Sequence, residues 1–270
     1  MLKYTIFLIL LCSTVSGCNM NIKESQSPVP TPEPAINYAT RPESIIVKAE
    51  INRSNLPLKQ VILSNIPEFC LYGNKTLIYR VEGGKKEIYS PAEKINYPVM
   101  KKVTLKEKNI QELLKFIIEE KKFFSLKGQK KEKKNMSYSL TVNIEKSGRT
   151  VSFYDNNSKE LKDTYNLLKN YDIKGSEPYR PQQISIAVYN VPDYIEHCTR
   201  KATMWTCKDI VNLEKLSGKY VPEDIQGKKL DRLLDFFTKY SPNDYFYFQG
   251  EKVYGIFCRP CLPHEIIREK

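Results

Sequence analysis

Histidine is almost missing from this chain. Two stand in 270 residues, His197 and His264, and the chain has no Gly-x-Ser-x-Gly elbow for either to serve. It also lacks His-Glu-x-x-His, a P-loop and a Gly-x-Gly-x-x-Gly after a strand. Those absences exclude the usual signatures of zinc proteases, phosphate-cradling loops, dinucleotide binding and serine hydrolysis. The adjacent acids Glu119 and Glu120, and the pair Asp163 and Asp172, read as solvated helix faces rather than acid–base pairs. The expectation is therefore a protein that is not an enzyme, with no catalytic residue, no cofactor and no resident metal. Long apolar runs are missing too. The stretch Tyr4–Leu11 falls short of the roughly 20 apolar residues that span a bilayer. No later segment is apolar enough to span.

Acidic residues are outnumbered, 31 against 43 Lys and Arg. Without Lys3 the balance is 42 against 31, or +11. Such a surface suits polyanionic surroundings: lipid headgroups, acidic wall polymers, lipopolysaccharide. The plainer reading is a lysine-rich surface that keeps the chain soluble. Hydrophobic residues make up 41% of the chain, with 18 Tyr and 11 Phe, enough for a real core.

What is present at the amino terminus is specific. Lys3 gives a positive start, Tyr4–Leu11 an apolar centre, and Val15-Ser16-Gly17-Cys18 a small-residue end. Together they make a secretory signal over residues 1–17. The final Cys resembles a bacterial lipobox, the mark of the bacterial lipoprotein class. That resemblance implies cleavage before Cys18, a diacylglycerol on its sulfur, and membrane attachment through acyl chains such as palmitate. More than one chain anchors stably, since each buried CH₂ adds about 0.8 kcal/mol. It also places the protein in the cell envelope and out of reach of nucleic acid. In diderm bacteria an Asp after the lipidated Cys retains lipoproteins at the inner membrane. Asn19 stands there instead, which favours the outer membrane in such an organism.

Residues 18–43 follow as a lipidated Cys and a tether. Pro28, Pro30, Pro32 and Pro34 alternate, which favours extended polyproline-type chain and cannot build a core. Residues 44–270 then read as one folded domain, with sub-halves at 44–175 and 176–270. Phe69–Val81 reads as a hairpin around Gly73-Asn74, with Glu87–Tyr89 as a short third strand. Thr104 and Glu107 have capping-box spacing ahead of Ile110, Leu113, Leu114, Ile117 and Ile118, a helix over 107–122. Tyr138, Leu140, Val142 and Ile144 alternate on one face of a strand, and 150–154 pairs back. Asn157 and Glu160 cap a second helix. Pro178 and Pro181 mark a joint before the strand Ile184–Tyr189. Leu230, Leu233, Leu234 and Phe237 define a third helix over 225–240, ahead of a hairpin at 245–257. The expected fold class is α+β: antiparallel β-hairpins packed on about three amphipathic helices. The repeated order of helix then hairpin suggests two similar halves.

Seven cysteines are present. Cys12 leaves with the signal and Cys18 takes the lipid. The remaining five are Cys70, Cys198, Cys207, Cys258 and Cys261, an odd number in an oxidising envelope. Cys70 sits in an apolar run and reads as a small buried hydrophobe. Cys198, Cys207, Cys258 and Cys261 read first as one or two disulfides, with three connectivities open. Two other readings compete. Cys258-Arg259-Pro260-Cys261 has the spacing of a thiol-redox centre, but ends a strand instead of opening a helix. The same four thiolates could hold structural zinc, with His197 or His264 as substitutes. Elsewhere, Lys127, Lys130, Lys131, Lys133 and Lys134 read as a solvated loop or an anion-binding one. Tyr245 to Phe248 reads as core packing or a sugar-stacking platform.

The Phe-x-Leu-Tyr-Gly hairpin at Phe69–Gly73, the helix ending in Phe123-Phe124, and the closing Arg259-Pro260-Cys261-Leu262-Pro263 with Glu265 carry a second resemblance. They resemble an uncharacterised family of envelope domains from cyanobacteria and other bacteria. That family has an aliphatic residue where Cys261 stands, so the resemblance does not imply Cys-x-x-Cys chemistry. Taken together, the expectation is a lipid-anchored envelope protein acting as a non-catalytic binding or structural module. Its partners would be the membrane, through the lipid, and an anionic envelope polymer or another envelope protein. The alternative is a thiol-redox or metal-handling lipoprotein using the C-terminal cysteines.

Overall fold

Non-local strand pairing organises this chain. A computed structural model describes residues 35–53, 65–81, 100–128, 136–154, 159–171, 173–191, 202–239 and 246–266. Seven strands form the first sheet: β1 (Ile45–Arg53), β2 (Phe69–Tyr72), β3 (Thr76–Arg80), β4 (Met100–Thr104), β5 (Met136–Ile144), β6 (Ser147–Phe153) and β7 (Glu177–Pro178). Their order is β6-β5-β1-β2-β3-β4-β7, with every pairing antiparallel. Its longest-range ladder sets Val47 opposite Val142 and Arg53 opposite Met136.

Period-2 alternation gives this sheet its faces. Phe69, Leu71, Leu77, Tyr79, Leu140, Val142, Val151 and Phe153 point into the main core. Two helices cover that face. The first, α1 (Glu107–Lys115), contributes Ile110, Leu113 and Leu114. It runs into a single π-helical turn, Phe116–Glu120. The second, α2 (Lys159–Lys169), contributes Leu161, Tyr165 and Leu168. Cys70, Tyr72, Ile78 and Met100 form a smaller cluster with Ile66 and Leu262. Phe-Cys-Leu-Tyr is thus buried at every position, because both of its faces are covered.

Five strands form the second sheet: β8 (Gln183–Asn190), β9 (Thr203–Met204), β10 (Glu223–Gln226), β11 (Phe246–Gln249) and β12 (Lys252–Pro260). Their order is β10-β8-β12-β11-β9, and β11 runs parallel to β9. Helices α3 (Leu213–Ser217) and α4 (Lys228–Lys239) complete this part. Leu213, Leu216, Leu230, Leu233 and Phe236 pack with Ile184, Ile186, Val188 and Ile256. Trp205 lies among them, edge-on to Phe236 at 5.0 Å and to Tyr247 at 5.2 Å. Its indole N–H donates to the Val211 carbonyl at 2.8 Å, which satisfies the one polar atom of a buried ring.

The α+β expectation of hairpins packed on about three helices in two similar halves is corrected. Two sheets of seven and five strands carry the fold, and the helices cover them. Hairpin signals are local, whereas β1–β5 and β8–β12 join residues far apart in sequence. The sheets also differ in strand number, order and direction, so the halves are not copies. Two details change as well. Thr104 lies in β4 opposite Thr76, and the residue before α1 is Lys106, which makes no side-chain cap. Ile225 and Gln226, the start of the helix expected over 225–240, lie instead in the edge strand β10.

Ala35 to Lys270 is one compact unit, so folded structure starts earlier than residue 44. Residues 35–44 form a strap over the first sheet. Ile36 N–H donates to Gln111 Oε1 at 2.8 Å, and Gln111 Nε2 returns a bond to the Ile36 carbonyl at 3.0 Å. Tyr38 donates to Glu107 at 2.6 Å. Gly73 N–H donates to the Ser44 carbonyl at 2.8 Å. A Cβ at Gly73 would sit 2.1 Å from the Ala39 carbonyl oxygen and 2.6 Å from that of Arg41. Only glycine admits the strap this close.

Candidate functional site

The site assembles where β12 ends. Pro260 closes the ladder opposite Ile184, and proline offers no N–H to extend it. The Cys261 N–H still donates to the Gln183 carbonyl at 2.9 Å. The chain then turns through Leu262–Glu265, with the Glu265 N–H donating to the Leu262 carbonyl at 2.9 Å. Glu265 closes this turn from both sides. Its carboxylate accepts from the Leu262 N–H at 2.8 Å and from Arg259 Nη2 at 2.7 Å. Arg259 also donates to the Asn65 carbonyl at 3.3 Å. The pair is largely buried, with side-chain exposures of 10% and 21%. We call this turn the clasp.

The clasp locks onto the first sheet. Leu262 is fully buried among Cys70, Tyr72, Ile78 and Met100. The Tyr72 hydroxyl and His264 Nδ1 are hydrogen-bonded at 2.8 Å. Tyr179 donates to the Cys261 carbonyl at 3.0 Å. Burial sets the protonation of this cluster. Desolvation pushes the Cys70 thiol up to about 12, against the opposing hydrogen bond from Tyr72. Desolvation, then the neighbouring Cys70, pushes the Tyr72 phenol well above its usual range. Desolvation holds the His264 imidazole below its ordinary value, partly offset by Glu265. At neutral pH all three are uncharged.

Beside the clasp lies a groove of about 320 Å³. Tyr72, Ile78, Tyr179 and Pro263 give it apolar walls, while Asn74, Thr76, Lys102, Arg180 and Gln182 give it polar ones. Lys102 pairs with Glu177 at 3.6 Å and Arg180 with Asp231 at 2.6 Å, both in solvent. The groove has the size and mixed lining of a small-ligand site.

Cys70, Cys207, Cys258 and Cys261 are free thiols. Cys258 stands opposite Ile186 and packs on the second sheet's core. Cys261 Sγ lies 3.3 Å from Ser185 Oγ, which donates to Asp224. Ile186 and Ser185 are adjacent on β8, so the two sulfurs lie on opposite faces. Desolvation raises the thiol pKa of Cys207, Cys258 and Cys261, the reverse of an activated cysteine. Among the described residues no three His, Cys, Asp or Glu gather as metal ligands. Cys18, Cys198, His197, Lys130 to Lys134, Asn157, Asp172, Glu87–Tyr89 and Tyr245 lie outside the described residues. Glu119, Glu120, Asp163 and Lys127 are exposed. Tyr247 is buried in the second core, and Phe246 and Phe248 pack with Val191 and Val253, so these rings present no open platform.

Sequence reasoning named Cys70, Cys261 and His264 at the clasp, and missed the groove beside it. Its walls come from five separate segments, and only two of them, at Tyr72 and Pro263, touch the short motifs read in the sequence. The available signal was the all-apolar Phe69–Tyr72 stretch, which marks a strand covered on both faces. No family model, no curated protein and no solved structure matches the chain.

Proposed function

We propose that this chain is a lipid-anchored protein of the bacterial cell envelope, and that its β-rich unit is a non-catalytic binding module. One observation carries the reading. The compact unit begins at Ala35, directly after the alternating prolines 28–34, which follow the Val15–Cys18 lipobox. A lipid site, an extended spacer and a folded unit in that order lift a domain off a bilayer. The groove offers the module a place to bind, and the basic balance suits an anionic envelope polymer. The competing thiol-redox reading is opposed by the opposite facing of Cys258 and Cys261 and by their buried, protonated sulfurs.

The test is metabolic labelling in a bacterial host. With labelled fatty acid, the wild-type chain takes up label and sediments with membranes through a high-salt wash. Cys18→Ser takes up none and is released. Label persisting in the variant, or membrane retention that resists salt without Cys18, overturns the anchor.

A further inference from the structure

The groove beside the clasp points to a ligand class. Its volume of about 320 Å³ holds one or two sugar rings and is too small for a folded partner. Three of its polar walls, Asn74, Thr76 and Gln182, are uncharged groups that both donate and accept. Hydroxyl-rich ligands need such groups, because each sugar hydroxyl both donates and accepts. Tyr72 and Tyr179 are held by hydrogen bonds of their hydroxyls at 2.8 and 3.0 Å. Tyr72 and Ile78 are fully buried beneath the groove, so the half-buried Tyr179 ring, with Pro263, offers the apolar wall for the C–H face of a pyranose. Two cations stand on the same walls. Among the described residues, Lys102 pairs with the solvent-exposed carboxylate of Glu177 and Arg180 with that of Asp231. Exposed pairs of this kind are worth little, so a ligand carboxylate can take their place. Among the described residues, the lining includes one carboxylate, that of Glu43.

We propose that the groove binds one uronic-acid residue of an acidic polysaccharide. Its ring lies along Tyr179, its hydroxyls meet Asn74, Thr76 and Gln182, and its carboxylate meets Lys102 and Arg180. The proposal deepens the binding-module reading and rests on it.

Calorimetric titration of the full chain in detergent tests it, with methyl glucuronide, methyl glucoside and inorganic phosphate as probes. The glucuronide is expected to bind, with the glucoside about tenfold weaker or more, since charge-assisted contacts are lost. Lys102→Ala with Arg180→Ala should weaken the glucuronide to the level of the glucoside. Both side chains are exposed, so this variant should keep the wild-type melting temperature. Thr76→Val should weaken both sugars alike. Lys108→Ala removes a more exposed cation on α1 and should change nothing. Equal binding of both sugars, equal binding of phosphate, an effect of Lys108→Ala as large as that at the groove, or no binding at all overturns the assignment. None of these outcomes alters fatty-acid labelling at Cys18, so failure of the groove and failure of the anchor are separable.

Discussion

Glu265 does two jobs with one carboxylate. It neutralises a guanidinium that is nine-tenths buried and satisfies the Leu262 N–H. Removing one member of such a pair strands the other charge, which typically costs 3–5 kcal/mol. Glu265→Gln should therefore destabilise the unit by about 3 kcal/mol, near the low end because Glu265 keeps some solvent contact. Urea unfolding at unchanged m-value measures this. Adding Arg259→Met should recover part of the loss, because the uncompensated charge is then gone. Purely additive losses would show that the pair is not coupled. Leu262 beside it is fully buried and contributes through packing, about 2–5 kcal/mol on truncation to Ala in comparable cores.

At the scale of elements, the strap depends on one glycine. Gly73→Ala places a methyl group 2.1 Å from a backbone oxygen, so the strap or the β2–β3 turn must move. Overpacking of this sort costs about 1–3 kcal/mol. Hydrogen exchange should show the Ile36 and Gly73 amides losing protection while those of β5 keep theirs. Uniform loss across β5 would mean that the strap and sheet open together. The elements also show what the sequence could reveal. Helix α1 was legible because Ile110, Leu113 and Leu114 repeat at helical spacing, and β5 because Leu140 and Val142 alternate. Helix α4 was legible from Leu230 and Leu233. Strands β4, β7, β9 and β10 were not. They are short, and they exist because a neighbour offers an open edge. Periodicity over two to five residues has no statistical weight. The groove was illegible for a related reason: its walls meet only after β2, β4 and the clasp have found their places.

For the molecule as a whole, acid should be felt first through His264. Its folded pKa is depressed, so the folded state resists a proton that the unfolded chain accepts readily. Stability from this group is therefore complete above about 6.5, the ordinary value, and falls as pH drops from there toward the depressed folded pKa. Thermal melts between pH 7.5 and 5.5 should show wild type losing stability and His264→Gln losing less. Equal slopes would remove His264 as the cause. The strap has a further meaning if the chain is pulled. Any load applied through residues before Ala35 reaches the unit at Ile36, where the paired Gln111 bonds grip the chain outside the sheet. Strand β1, held between β2 and β5, lies further along the chain. A steady tug would unzip the strap one bond at a time before it loaded β1, so residues 35–44 act as a mechanical fuse that lengthens the leash and spares the core.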